Sequence, residues 1–140
     1  LNSNEFEEAY LDMKSGKLDS ALEKFLKLVE KEPSAEVWIN IGNIYRRKNL
    51  LAKAMESYKR AMEINPESAE ALFNMGCTYY QMGKYFEALN LLKKAENLGL
   101  KDPKLKIVKA LCRVKLNLPN PFEGLSDDER KLVKDLLKDG

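Results

Sequence analysis

The chain has 140 residues, 44% of them hydrophobic, with 24 Lys+Arg against 22 Asp+Glu, no histidine and two cysteines, which describes one soluble globular unit. Without histidine there is no Ser-His-Asp triad, no His-ligated zinc and no imidazole pH switch. A formal net charge of +2 is too small to drive nucleic-acid binding by counterion release. Cys77 and Cys112 lie outside any C-x-x-C spacing, so both are expected to be buried free thiols, with no metal and no cofactor. No apolar stretch reaches the ~18 residues of a membrane span, and there is no signal-peptide core, so a cytoplasmic protein without membrane contact is expected.

The predicted elements repeat along the chain. Residues 2–34 read as a pair of amphipathic helices turned at Gly16, with Ala9, Ala21, Phe25 and Pro33 as landmarks. Residues 35–68 repeat that pattern at an offset of 33, with Gly42, Ala54, Tyr58 and Pro66 in the same places and the turn at Asn49. Residues 69–102 repeat it again at an offset of 34, matching Gly76, Tyr79, Ala88 and Ala95 to Gly42, Tyr45, Ala54 and Ala61. Here Ser68 is the expected N-cap of a helix reaching about Met82, and the Gly83-Lys84 turn starts a second helix from Tyr85 to Leu98. The small residues Ala9, Gly42, Gly76 and Ala110 fall where paired helices must approach closely, so a large side chain there would overpack.

Residues 103–117 form half a unit, opened by Asp102 with Pro103 at the first helical position. The expected partner helix is replaced by a linker at 118–125, where Pro119 and Pro121 forbid a regular helix. Ser126 and Glu129 then form a capping box for a last helix, 126–138, whose apolar stripe is Leu132, Val133, Leu136 and Leu137. That helix is expected to cap the open end of the last unit; a reversible plug across the binding groove and a helix displayed to another protein are the alternatives. The fold class is therefore all-α, in one domain spanning 1–140: about three and a half helix-turn-helix repeats plus a C-terminal helix.

The second unit, WINIGNIYRRKNLLAKAMESYKRAMEINP, carries Trp38, Gly42, Tyr45, Ala54, Tyr58, Ala61 and Pro66 in an order that resembles the tetratricopeptide repeat family. The third unit follows with Leu72, Gly76, Tyr79, Ala88, Leu92 and Ala95, but has Leu100 in place of the proline, and the first departs with Asp12 at its first-helix aromatic. The resemblance implies a right-handed superhelix whose first helices line a concave groove that accepts a peptide or partner helix. On that register the groove holds Phe6 and Tyr10 from the first unit and Ile39, Asn40, Asn43, Arg46 and Arg47 from the second. The third contributes Phe73, Asn74, Cys77 and Tyr80, and the half unit Lys104, Ile107, Val108 and Leu111. Apolar residues outnumber charges, which suits the apolar face of a helix or an extended peptide with large side chains.

Some family members clamp acidic chaperone tails with a lysine and two asparagines followed by a lysine and an arginine. Asn43, Asn74 and Lys104 match that set, whereas Ile39 and Val108 stand where the other two cations would be. A clamp short of two cations holds a di-carboxylate poorly, because each charge-assisted bond contributes roughly 1.5–3 kcal/mol. Charge is also polar along the chain, −3 over residues 1–34 and +4 over 103–125, and the second unit's Arg46-Arg47-Lys48 is too short for a nucleic-acid patch. No nucleophile motif, phosphate loop or inward carboxylate pair is present, so a non-enzymatic protein-binding scaffold or adaptor is expected, ahead of a co-chaperone adaptor or a single-stranded RNA binder. The partner is a protein or peptide of unknown identity, and the chain is expected to be a monomer or to associate weakly through the solenoid ends.

Overall fold

A computed structural model describes residues 3–139. Among them the chain forms eight α-helices and no strand: α1 (Ser3–Lys14), α2 (Leu18–Lys31), α3 (Ala35–Arg47), α4 (Leu51–Ile64), α5 (Ala69–Gln81), α6 (Tyr85–Asn97), α7 (Lys104–Lys115) and α8 (Asp127–Lys138). None is long and apolar enough to cross a membrane.

Each second helix buries one stripe at helical spacing, as in Ala21, Phe25, Leu28 and Val29 of α2 or Ala88, Leu89, Leu92 and Ala95 of α6. The expected turns form as reversed helix ends. Asn49 adopts φ +61°, while Leu50 N–H reaches back to Tyr45 O (2.8 Å) and Asn49 N–H to Arg46 O (2.9 Å), which closes α3 in a Schellman motif. The same bond pair recurs at Gly83, where Lys84 N–H meets Tyr79 O (2.9 Å). Ser68 Oγ accepts from Ala71 N–H (3.1 Å), and the Ser126–Glu129 box closes both ways, at 3.2 and 2.9 Å. The expected boundaries shift slightly at α7: Asp102 Oδ1 accepts from Lys104 N–H (2.9 Å), so Pro103 precedes the helix, and Asn117 at φ +54° ends it before the expected residue.

Packing is sequential and one-sided. α1, α3, α5 and α7 touch one another in succession, whereas α2, α4 and α6 touch only first helices. First helices in contact and second helices splayed apart give a curved stack whose inner surface belongs to the first helices. Three hydrophobic clusters merge along it: one around Phe25 and Ile41, one around Tyr58 and Met55, and one around Leu92 and Cys112. Asp12, in the aromatic's place, instead accepts bonds from Ser20 Oγ (2.7 Å) and Lys24 Nζ (2.6 Å); those bonds join α1 to α2 and hold its carboxyl below the usual range.

α8 packs on α7 alone. Val133, fully buried, joins Leu125, Ile107, Ala110 and Leu111 in a fourth cluster, with Phe122 and Leu137 at its margin. Lys106 pairs with Glu129 (3.2 Å), and Lys109 pairs with Glu96 (2.8 Å), so two of the five basic residues of the half unit are matched by these ion pairs. The C-terminal helix thus lies against α7, and no contact places it over α1, α3 or α5.

Two buried groups set an alkaline limit on this core. Burial pushes the Tyr58 phenol up to about 12 against an ordinary 10.0, and burial with Cys77 nearby pushes the Cys112 thiol up to about 12. A folded-state value above the unfolded one stabilises the neutral form fully below the unfolded value, and that contribution is lost as pH rises toward the folded value. For Tyr58 the difference corresponds to about 3 kcal/mol. Thermal melts should therefore fall as pH is raised from 9 to 12, and Tyr58→Phe should remove part of that dependence.

Candidate functional site

The concave surface deepens into a cavity of about 290 Å³ between α3, α5 and α7. Seven of the sequence-predicted groove residues meet there: Asn43 and Arg46 from α3, Phe73, Asn74 and Cys77 from α5, and Lys104 and Val108 from α7. Glu70, Leu100 and Asp102 complete the wall. Parallel first helices put these residues in register, because Asn43 and Cys77 are one repeat apart on neighbouring helices.

Each asparagine is prepared differently. Tyr58 O–H donates to Asn43 Oδ1 at 2.6 Å, so the buried ring of α4 fixes the Asn43 amide and leaves its Nδ2 group turned to other acceptors. Tyr58 sits there because Gly42 has no side chain: a Cβ on Gly42 would lie 2.9 Å from Tyr58 Cζ and closer still to Cδ1 and Cε1. Asn74 is only 6% exposed and lines the cavity, and no buried side-chain nitrogen or oxygen among the described residues lacks a partner. The Asn74 backbone carbonyl also accepts from Thr78 Oγ1 (2.7 Å). Asn43 and Asn74 together give the cavity two amides beside its charged and apolar residues.

The charges are mixed. Arg46 and Lys104 face Glu70 and Asp102 across the lining. Burial pushes the Glu70 carboxyl up, helped by the like charges of Glu36 and Asp102. Burial also raises the Cys77 thiol, against the pull of the neighbouring Arg46 guanidinium, so the thiol is the neutral, poorly nucleophilic form. Cys77 is half-buried in the cavity wall rather than buried as expected. Among the described residues no group of three or more His, Cys, Asp or Glu is placed to hold a metal ion.

The other predicted residues lie elsewhere. Phe6 stacks on Tyr10 (6.1 Å, 14°) and meets Phe25 edge-on, so this aromatic pair packs against the core between α1 and α2, away from the cavity. Ile39 is 4% exposed because it packs against Ala71 and Met75 of the next first helix. Asn40 is buried and donates to Glu36 O (3.1 Å) within its own helix. Arg47 donates to Met13 O (3.0 Å) and so ties the ends of α3 and α1. Ile107 and Leu111 are corrected outright: α8 and Leu125 cover them, and Tyr80 packs at the edge of the same cluster. Glu70, Leu100 and Asp102 were missed. Glu70 stands one repeat after Glu36, and Leu100 replaces the repeat's proline, which are the two signals that could have found them.

Family models place a TPR repeat at residues 42–83 and a tetratricopeptide repeat at residues 69–99, the segment that supplies α5 and four of the ten cavity residues. Residues 42–99 carry tetratricopeptide repeats. It is 40% identical over 87 residues to human protein O-mannosyl-transferase TMTC1, covering 61% of this chain and 10% of that protein. The chain thus spans about a tenth of the length of that relative. Among solved structures it resembles YrrB, a TPR protein with an unusual peptide-binding site, at 29% identity and a TM-score of 0.65 over 68% of this chain and 50% of that one. The first TPR of Spaghetti (RPAP3), bound to the HSP90 peptide SRMEEVD, superposes with a TM-score of 0.76 at 19% identity, covering 81% of this chain and 90% of that one, which shows the shared solenoid fold.

Proposed function

We propose that these repeats bind a segment of another protein in the cavity between α3, α5 and α7, as a non-catalytic scaffold or adaptor that uses no cofactor. The observation that carries the proposal is the cavity lining itself, where the amides of Asn43 and Asn74 stand beside Phe73 and Val108, which offer an apolar floor. A peptide supplies both halves of the match, a side chain for the floor and a main-chain amide for Asn74. The peptide-binding site of YrrB supports the reading, and a cytoplasmic setting, which the free thiols of Cys77 and Cys112 favour, belongs to the same proposal.

The cavity argues against an acidic chaperone tail. Asn43, Asn74 and Lys104 are in place, but Glu70 and Asp102 add two carboxylates, while Ile39 and Val108 supply no cation. A di-carboxylate would lose against the first pair what it gained from Lys104 and Arg46.

Asn74→Ala is the test, with the melting temperature of the variant measured alongside so that a loss of fold is told apart from a loss of binding. In affinity capture from lysate, side by side with the unaltered chain, retention of the bound proteins should fall about tenfold, the equivalent of one or two lost hydrogen bonds. Equal retention would sink the assignment of this cavity.

A further inference from the structure

Among the apolar residues exposed outside the groove, two lie together on α8. α8 turns Val133 and Leu137 toward α7, Glu129 toward Lys106, and Lys134 over the Phe122 ring, so these positions define its docked side. At 3.6 residues per turn, the flank turned away carries Asp128, Lys131, Leu132, Asp135, Leu136 and Lys138. Leu132 and Leu136, one turn apart, are 47% and 43% exposed, and no helix other than α7 touches α8. At the opposite end of the solenoid, Leu11 stands alone on α1 beside Glu7 and Glu8.

The charge order along the flank says what covers it. Read from the N-terminus it runs acid, base, acid, base: Asp128, Lys131, Asp135, Lys138. A second α8 laid antiparallel presents the reverse order, with its symmetry axis at the level of residue 133, so Asp128 meets Lys138 and Lys131 meets Asp135, each pair formed twice beside the leucines. A parallel copy would set like charge against like. We infer that a second copy of this chain docks on the flank, giving a two-fold dimer through α8. The contact uses the same patch on both copies and therefore closes, whereas a head-to-tail contact with the acidic first unit would grow into open chains. Within one helix Lys138 and Asp135 approach only to 4.0 Å with both side chains largely exposed, which competes little with pairing across the dimer. Two leucines and four charges per copy make a contact below the ~1,200 Å² of standard interfaces, so the dimer is weak, with Kd on the order of 0.1–1 mM.

Sedimentation equilibrium of the 140-residue chain over a concentration series tests this. The unaltered chain should fit a monomer–dimer equilibrium, and L132S should weaken it. K131E and D135K each set like charges together and should weaken association about tenfold. An equal mixture of the two restores opposite charges in both pairs and should recover the dimer. All three positions are exposed, so circular dichroism should show unchanged helicity. A monomer throughout, growth beyond dimer, or a mixture no stronger than its components would overturn the inference.

Discussion

Gly42→Ala should lower the melting temperature by roughly 3–8 °C, the effect of about 1–3 kcal/mol of overpacking less the ~1 kcal/mol helix preference of alanine, in a domain of this size. The added methyl would press on three carbons of the Tyr58 ring. That ring is fully buried, and its hydroxyl is held by Asn43, so it cannot retreat without breaking a 2.6 Å bond. Gly76 is the internal comparison. There a methyl would meet Leu92 Cγ and Cδ2 at 3.0 Å and Ala88 O at 3.3 Å, a contact that a leucine rotation eases. The helix preference of alanine over glycine, about 1 kcal/mol, offsets most of the remainder, so Gly76→Ala should melt within a few degrees of the parent. Calorimetric scans of both variants decide it, and equal melting temperatures would contradict the packing account. Because Tyr58 also orients Asn43, Gly42→Ala should weaken partner capture as well.

Val133→Asp should release α8. A carboxylate cannot stay unpaired at a fully buried position, where it costs roughly 3–5 kcal/mol, and α8 has only α7 to hold it. Undocking is the cheaper outcome, so the loss is limited to the free energy of docking the helix. Hydrogen exchange should then show protection lost over residues 127–138, with Ile107 and Leu111 exposed and α1 to α4 still protected. Partner capture should stay within about twofold of the parent, since the cavity does not include α8. Capture rising severalfold would mean that the helix obstructs the groove.

Much of this architecture was legible because a repeat announces itself through small residues and turns. Ala9, Gly42 and Gly76 marked the close approaches, and Gly16, Asn49 and Gly83 marked the reversals, all local properties of the backbone. The site was legible only in part. Helical periodicity assigns a residue to the inner surface but does not say whether a neighbouring first helix covers it, which is why Ile39 disappears against Ala71 and Met75. Ile107 and Leu111 share that inner register but vanish beneath α8, because the path of the 118–125 linker back onto α7 has no periodic signal. The charged wall was hidden for a related reason: Glu70 and Asp102 lie at helix starts, where acidic residues are expected simply to favour the helix dipole.

The most direct test places a photo-crosslinking phenylalanine at Glu70, on the rim of the cavity, and in a second protein at Lys59, exposed on α4. After irradiation in lysate, the Glu70 position should yield discrete crosslinked partners that disappear in the Asn74→Ala background, and the Lys59 position should yield none of them. Crosslinks of equal yield at both positions, or at Lys59 alone, would contradict a binding site on the concave face.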